Sequence, residues 1–100
     1  MMVVTAVTPW NSFSAQLTNE TIVVAGVARS FLQYLPEGYN EGDVLPLVLC
    51  FHGGSDTAYD QLALGDLRAR ADEVDFILVY PQALPDPNYG GSTNWQWVIS

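Results

Sequence analysis

The sequence predicts an α/β fold in which an antiparallel hairpin precedes a parallel β-α-β unit. Two runs rich in β-forming residues, 21–24 and 30–35, flank a short segment that contains a glycine. Two continuous apolar runs, 46–51 and 76–80, flank a stretch with helical periodicity. Continuous apolar runs of this length are typical of strands buried on both faces of a parallel sheet.

The hairpin and the helix each have local signals. Residues 25–28 contain Gly26, which we expect to take the special backbone conformation of the turn. Residues 36–43 are rich in turn-forming residues and predict a surface loop. A helix is predicted from 58 to 74, because Ser55, Asp56 and Thr57 are all good N-cap residues and because one stripe of the helix is apolar. That stripe consists of Tyr59, Ala63, Leu67, Ala71 and Val74, widened by Leu62 and Leu64.

The second apolar run ends at Pro81, and residues 81–94 are predicted to form a long loop because Pro, Gly, Asp and Asn are frequent there. Strand, helix and strand in this order predict a parallel pair with a right-handed crossover. A parallel sheet needs helices on both faces, and only one helix is predicted here. We therefore expect a bare apolar face and an incomplete sheet, since a doubly wound domain usually has about 200–250 residues.

Composition limits the partners of this chain. Hydrophobic residues make up 49% of its 100 residues, which excludes a disordered chain. Eleven acidic residues against three arginines give a net charge of −8, which disfavours binding to nucleic acid or to an anionic membrane. The single cysteine, Cys50, excludes an internal disulfide, and we expect it to pack as a small apolar side chain rather than pair with a cysteine elsewhere. One histidine, one cysteine and scattered acids predict no metal site.

The N-terminal segment, residues 1–16, permits two interpretations. It is either a flexible terminus or the remnant of a signal peptide, because a short apolar stretch is present but no basic residue precedes Arg29. Residues 17–100 are interpreted as one portion of a single domain.

The loop after the first apolar run is the main candidate site. His52-Gly53-Gly54 connects a strand to a helix, so its N–H groups are expected to face a crevice at the carboxyl end of the strand. Such groups suit a developing oxyanion, although two glycines can also simply form a tight turn. We expect His52 to brace the loop rather than act as a base. Trp95 and Trp97 are candidates for contact with a sugar or aryl substrate, or they pack in the protein.

Taken in order, several segments together resemble the polyhydroxybutyrate depolymerase-like esterases, a group of the α/β-hydrolase superfamily that includes feruloyl and acetylxylan esterases. The segments are 29–31, 34–39, 45–49, 51–55, 69–72, 76–82 and 91–95. The resemblance covers the N-terminal portion of the family's domain. It implies a mostly parallel eight-stranded sheet, secretion or periplasmic export, no cofactor and a Ser-Asp-His triad.

One functional element of that family corresponds to residues of this chain. The loop 52–55 would be its oxyanion-hole loop, with Gly54 as the first candidate N–H donor and Gly53 or Ser55 next. No catalytic residue is predicted within the chain, because it contains no Gly-x-Ser-x-Gly and its only histidine is His52.

Three functions follow from the sequence. The leading hypothesis is a serine esterase acting on small or polymeric esters, of which this chain is a portion that needs the rest of its own domain. The alternative is a non-catalytic remnant or a small carbohydrate-binding module that uses Trp95 and Trp97. A nucleotide-binding half-domain is weaker, because the loop lacks the Gly-x-Gly-x-x-Gly pattern.

Overall fold

A computed structural model describes residues 16–95 of the chain. Its main sheet has four strands in the order β1-β2-β4-β3, and a separate two-stranded sheet pairs β5 with β6. In chain order the elements are β1 (Gln16–Val24), β2 (Val27–Leu35), β3 (Leu47–Leu49), α1 (Ala58–Leu64), α2 (Arg68–Val74), β4 (Ile77–Pro81), β5 (Pro85–Asp86), a 3-10 turn (Pro87–Tyr89) and β6 (Ser92–Thr93).

The predicted hairpin is confirmed. β1 and β2 pair antiparallel up to Val24 opposite Val27, which leaves a two-residue loop of Ala25 and Gly26. Both loop residues have positive φ, 52° and 78°, as the tight turns that match the twist of a hairpin require. The prediction of a special conformation at Gly26 is therefore correct, and Ala25 adopts it as well.

The predicted parallel pair is also confirmed. β3 and β4 run parallel with Leu47 opposite Ile77 and Leu49 opposite Val79, and the Cys50 N–H extends the ladder to the Val79 carbonyl at 2.9 Å. On its other edge β4 pairs antiparallel with β2, so the sheet is mixed. β3 is shorter than the predicted 46–51, because the chain leaves the sheet after Cys50 and enters the glycine loop.

The prediction of one continuous helix over 58–74 is wrong. Two seven-residue helices, α1 and α2, are separated at Gly65. The buried Tyr80 hydroxyl stabilises the break, since it donates to the Gly65 carbonyl at 3.1 Å and accepts the Leu67 N–H at 3.4 Å. Among the three predicted N-cap residues it is Thr57 that caps α1, and it forms a reciprocal capping box with Asp60.

The break also explains why the predicted apolar stripe is wrong. Ala71 is fully buried, but Tyr59 and Val74 are 57% and 48% exposed. A single helical period cannot continue through a break, so α1 and α2 each contact the sheet separately. The buried core cluster lies between these helices and one face of the sheet and consists of Leu32, Tyr34, Ala58, Leu62, Ala71, Leu78 and Tyr80.

No described element covers the other face of the sheet. We call this surface the open face, and its apolar residues are Ile22, Val24, Phe31, Leu47, Leu49, Ile77 and Val79. Leu47 and Leu49 are 58% and 49% exposed, so the prediction that their strand is buried on both faces is wrong for the part of the chain that the structure describes. The bare apolar face expected from the single predicted helix is present.

Three further predictions concern the loops 36–43 and 81–94 and the N-terminal segment. The loop 36–43 contains turns closed by Tyr39 N–H to the Pro36 carbonyl and by Asp43 N–H to the Asn40 carbonyl. The predicted loop 81–94 instead contains the β5–β6 hairpin and the 3-10 turn. Of the predicted N-terminal segment only Gln16 is described, and it begins β1, whereas residues 1–15 and Trp97 lie outside the described range.

Tyr34 joins the sheet to α2. Its hydroxyl lies 2.9 Å from both carboxylate oxygens of Asp72, and Asp72 also accepts the Glu37 N–H. Burial of the phenol, together with its hydrogen bond to the Asp72 carboxylate, raises the pKa of Tyr34 to about 12.

This raised pKa predicts a loss of stability in alkali. The unfolded chain ionises its tyrosines near pH 10, before folded Tyr34 does, so the unfolded state binds fewer protons between about pH 10 and 12. The contribution is fully present below pH 10 and falls by about 2–3 kcal/mol as the pH rises to 12. Urea unfolding at pH 9 and pH 11 measures about half of this change, ~1.3 kcal/mol. Tyr34→Phe should flatten the slope, and an unchanged slope in that variant would contradict the assignment.

Candidate functional site

The His52–Ser55 loop lies at the carboxyl end of β3, beside the carboxyl end of β4. Because β3 and β4 are parallel neighbours, the residues that follow them meet at the same edge of the sheet. Crevices at such edges are the usual ligand sites of α/β sheets. His52 and Gln82, the polar residues that follow the two strands, make contact there.

His52 is 3% exposed, and both of its ring nitrogens have partners. Nε2 accepts the Ala83 N–H at 3.0 Å, and Nδ1 lies 2.6 Å from the Gly53 carbonyl. Because Nε2 is an acceptor, the ring proton belongs on Nδ1, which donates to that carbonyl. With both nitrogens engaged, His52 has the contacts of a residue that holds the loop, and no free nitrogen for abstracting a proton from a substrate.

Gln82 connects His52 to the start of α1. Its amide Nε2 is 3.3 Å from His52 Nε2 and 3.1 Å from the Ala83 carbonyl, and its Oε1 accepts the Ala58 N–H at 2.8 Å. Sequence analysis did not single out this residue as part of the site. The parallel pairing of two predicted strands was the signal that could have found it, since that pairing places residues 52 and 82 side by side.

Trp95 lies against the same loop. Its indole N–H donates to the His52 carbonyl at 2.8 Å. Its ring packs on His52 at a centroid distance of 4.8 Å and edge-on to Phe51 at 5.1 Å. The candidate substrate contact is therefore a half-buried residue whose polar group is already used inside the protein.

The end of the β5–β6 hairpin closes the loop from the other side. The Ser55 N–H donates to the Thr93 carbonyl at 2.7 Å, and the Thr93 hydroxyl donates to the Asp56 carbonyl at 2.6 Å. Ser55 has a positive φ of 67°, an uncommon conformation for a residue other than glycine, and these bonds stabilise it. Thr93 is a second residue of the site that sequence analysis did not identify.

The three candidate donors differ in their partners. Within residues 16–95 the N–H groups of Gly53 and Gly54 have no acceptor, whereas the Ser55 N–H is bonded to Thr93. Both glycines are also close to side chains. A Cβ at Gly54 would lie 2.9 Å from Asn94 Oδ1, and a Cβ at Gly53 would lie 3.2 Å from Asp56 Oδ2. A side chain at position 54 would therefore require the end of the Asn94 side chain to shift.

Other reactive groups lie away from this loop. Cys50 is half-buried against the core, and burial raises the pKa of its thiol, which disfavours the nucleophilic thiolate at neutral pH. In the described part of the chain no group of three His, Cys, Asp or Glu side chains is arranged to hold a metal ion. No helix within residues 16–95 is long and apolar enough to cross a membrane.

No family model matches the chain, and no curated protein matches it. The residues of the His52–Ser55 loop and their geometry are therefore the basis for a function.

Proposed function

We propose that the His52–Ser55 loop is part of the oxyanion hole of a serine esterase similar to the polyhydroxybutyrate depolymerase-like group. The nucleophile, acid and base of that enzyme would come from chain beyond Ser100, in the rest of the same domain. The observation that carries the proposal is the Gly54 N–H, which has no acceptor among the described residues and is held in a fixed direction at the carboxyl end of a parallel strand.

The direction of the Gly54 N–H follows from its own peptide unit. The Gly53 carbonyl belongs to the same planar trans peptide as the Gly54 N–H, so the two groups point in opposite directions. His52 Nδ1 at 2.6 Å and the Asp56 N–H at 3.2 Å both donate to that carbonyl. The N–H is therefore directed away from His52 without any rearrangement of the loop.

A fixed N–H of this kind stabilises the charge that forms on an ester carbonyl when serine attacks it. One such donor contributes about 2.7–4 kcal/mol in the transition state. Gly54 is the first donor and Gly53 the second, because the Asp56 carboxylate beside Gly53 disfavours negative charge there. We exclude the Ser55 N–H, since it is already bonded to Thr93.

The open face supports the same proposal. Strands in parallel pairs such as β3 and β4 are usually covered on both faces, and the described helices α1 and α2 cover only one face of the sheet. The remaining part of the esterase domain would pack on the open face. The substrate class is a carboxylic ester, small or polymeric, and secretion or periplasmic export remains an expectation from the family resemblance.

The carbohydrate-binding alternative has less support. A sugar platform needs an indole face that is free for the ligand, and the ring of Trp95 packs on His52 and Phe51. Trp97, the other residue of that hypothesis, lies outside the described range.

The test begins with the coding DNA beyond Ser100, where we expect a Gly-x-Ser-x-Gly followed by Asp and His. The longer product should hydrolyse p-nitrophenyl acetate, and Gly54→Pro should lower its kcat by about 10²–10³-fold, because proline has no N–H and the donor is lost. Gly54→Ala is the matched control, since alanine keeps the N–H and its Cβ meets only the end of the Asn94 side chain, at 2.9 Å. A stop codon directly after Ser100, or full activity in Gly54→Pro, would contradict the proposal.

A further inference from the structure

Trp95 makes one contact that a residue serving only as packing does not need. Its indole N–H donates to the His52 carbonyl at 2.8 Å, and this carbonyl shares a peptide unit with the Gly53 N–H. We infer that Trp95 is a positioning residue that fixes the direction of the second oxyanion donor, Gly53. The inference rests on the proposed function and assigns to Trp95 a part in the same site.

The geometry of the peptide carries the argument. Among residues 16–95 there is no cis peptide bond, so the His52 carbonyl and the Gly53 N–H point in opposite directions. Holding the carbonyl against the indole therefore holds the N–H away from it. The indole is itself restrained by contact with the rings of His52 and Phe51.

A glycine loop needs such a device because glycine imposes little conformational restriction. With no Cβ, the peptide units on either side of Gly53 can rotate at low steric cost, and rotation would turn the donor away from the crevice. The two donors are then held in the same manner, each through the carbonyl of its own peptide unit. His52 holds the Gly54 N–H, and Trp95 holds the Gly53 N–H.

The same contacts distinguish positioning from substrate contact. A tryptophan that binds substrate through its N–H would leave that group free, whereas here it is used within the loop. Trp95→Phe keeps an aromatic ring but removes the donor together with part of the indole ring system. Phe51→Leu is the matched control, because it removes a ring contact of the indole and leaves its hydrogen bond in place.

The experiment uses the isotope-labelled longer product in solution, because the oxyanion site is proposed to need the rest of its domain. Residual dipolar couplings report the direction of each glycine N–H, and titration with methylphosphonate, a tetrahedral oxyanion, reports access to it. In Trp95→Phe we expect the coupling of Gly53 to change and its shift response to methylphosphonate to fall by at least half. Gly54 in that variant, and both glycines in Phe51→Leu, should retain their values.

Failure of the inference about Trp95 can be distinguished from failure of the proposed function. If methylphosphonate shifts neither glycine amide in the unchanged chain, the proposed oxyanion site is wrong, and the inference fails with it. If both amides respond and Trp95→Phe leaves Gly53 unaltered, the inference alone is overturned. If that variant does not fold, the scalar coupling across the hydrogen bond between Trp95 Nε1 and the His52 carbonyl carbon decides in the unchanged chain, and its absence overturns the inference.

Discussion

We expect His52→Leu to lower the free energy of unfolding by about 2–4 kcal/mol, a large part of the stability of a small domain. His52 is 3% exposed and accepts the Ala83 N–H while it donates to the Gly53 carbonyl. Leucine fills a similar volume but leaves the Ala83 N–H without its acceptor in a buried place. Urea unfolding at pH 7, followed by far-ultraviolet circular dichroism, measures the loss.

His52→Asn provides the matched comparison. An asparagine amide can replace Nδ1 as a donor to the Gly53 carbonyl but is too short to accept the Ala83 N–H. We therefore expect a loss between those of the leucine variant and the unchanged protein. A leucine variant within about 0.5 kcal/mol of the unchanged protein would show that His52 does not hold the loop.

The elements that local sequence specifies were predicted well. The hairpin depends on a glycine turn between β-rich runs, and the parallel pair depends on two apolar runs with a helical segment between them. The break between α1 and α2 could not be predicted in this way. It depends on the Tyr80 hydroxyl, which lies 15 positions from Gly65 in sequence and contacts it only because the sheet has formed.

In the candidate site, too, the local sequence predicts some features and tertiary contacts determine the others. The sequence identified the His52–Ser55 loop and the bracing role expected of His52. The sequence could not reveal that the Thr93 carbonyl accepts a hydrogen bond from the Ser55 N–H. These two residues are far apart in the chain and meet through the β5–β6 hairpin. Trp95 was singled out as a candidate substrate contact, and only its distance of 2.8 Å to a specific carbonyl indicates a positioning role.

Two leucines on adjacent strands test which face of the sheet is covered. Leu78 on β4 is fully buried beneath the helices, and Leu49 on β3 is 49% exposed on the open face. We expect Leu78→Ala to lower the free energy of unfolding by about 2.5–5 kcal/mol, because it leaves a cavity in the core. Leu49→Ala should cost less than about 1 kcal/mol, since that side chain is already half in water. Equal losses in urea unfolding would contradict the assignment of the two faces.

A charge at position 49 extends this test to the proposed remainder of the domain. In the 100-residue chain, Leu49→Lys should reduce self-association and the binding of the apolar dye ANS, because it interrupts an exposed apolar surface. In the longer product the same lysine would be buried against the elements that cover the open face. An unpaired buried charge is strongly destabilising, by about 3–5 kcal/mol when it has no partner. We therefore expect Leu49→Lys to reduce self-association of the 100-residue chain and to lower the free energy of unfolding of the longer product. Both effects together are expected only if the rest of the domain packs on the open face.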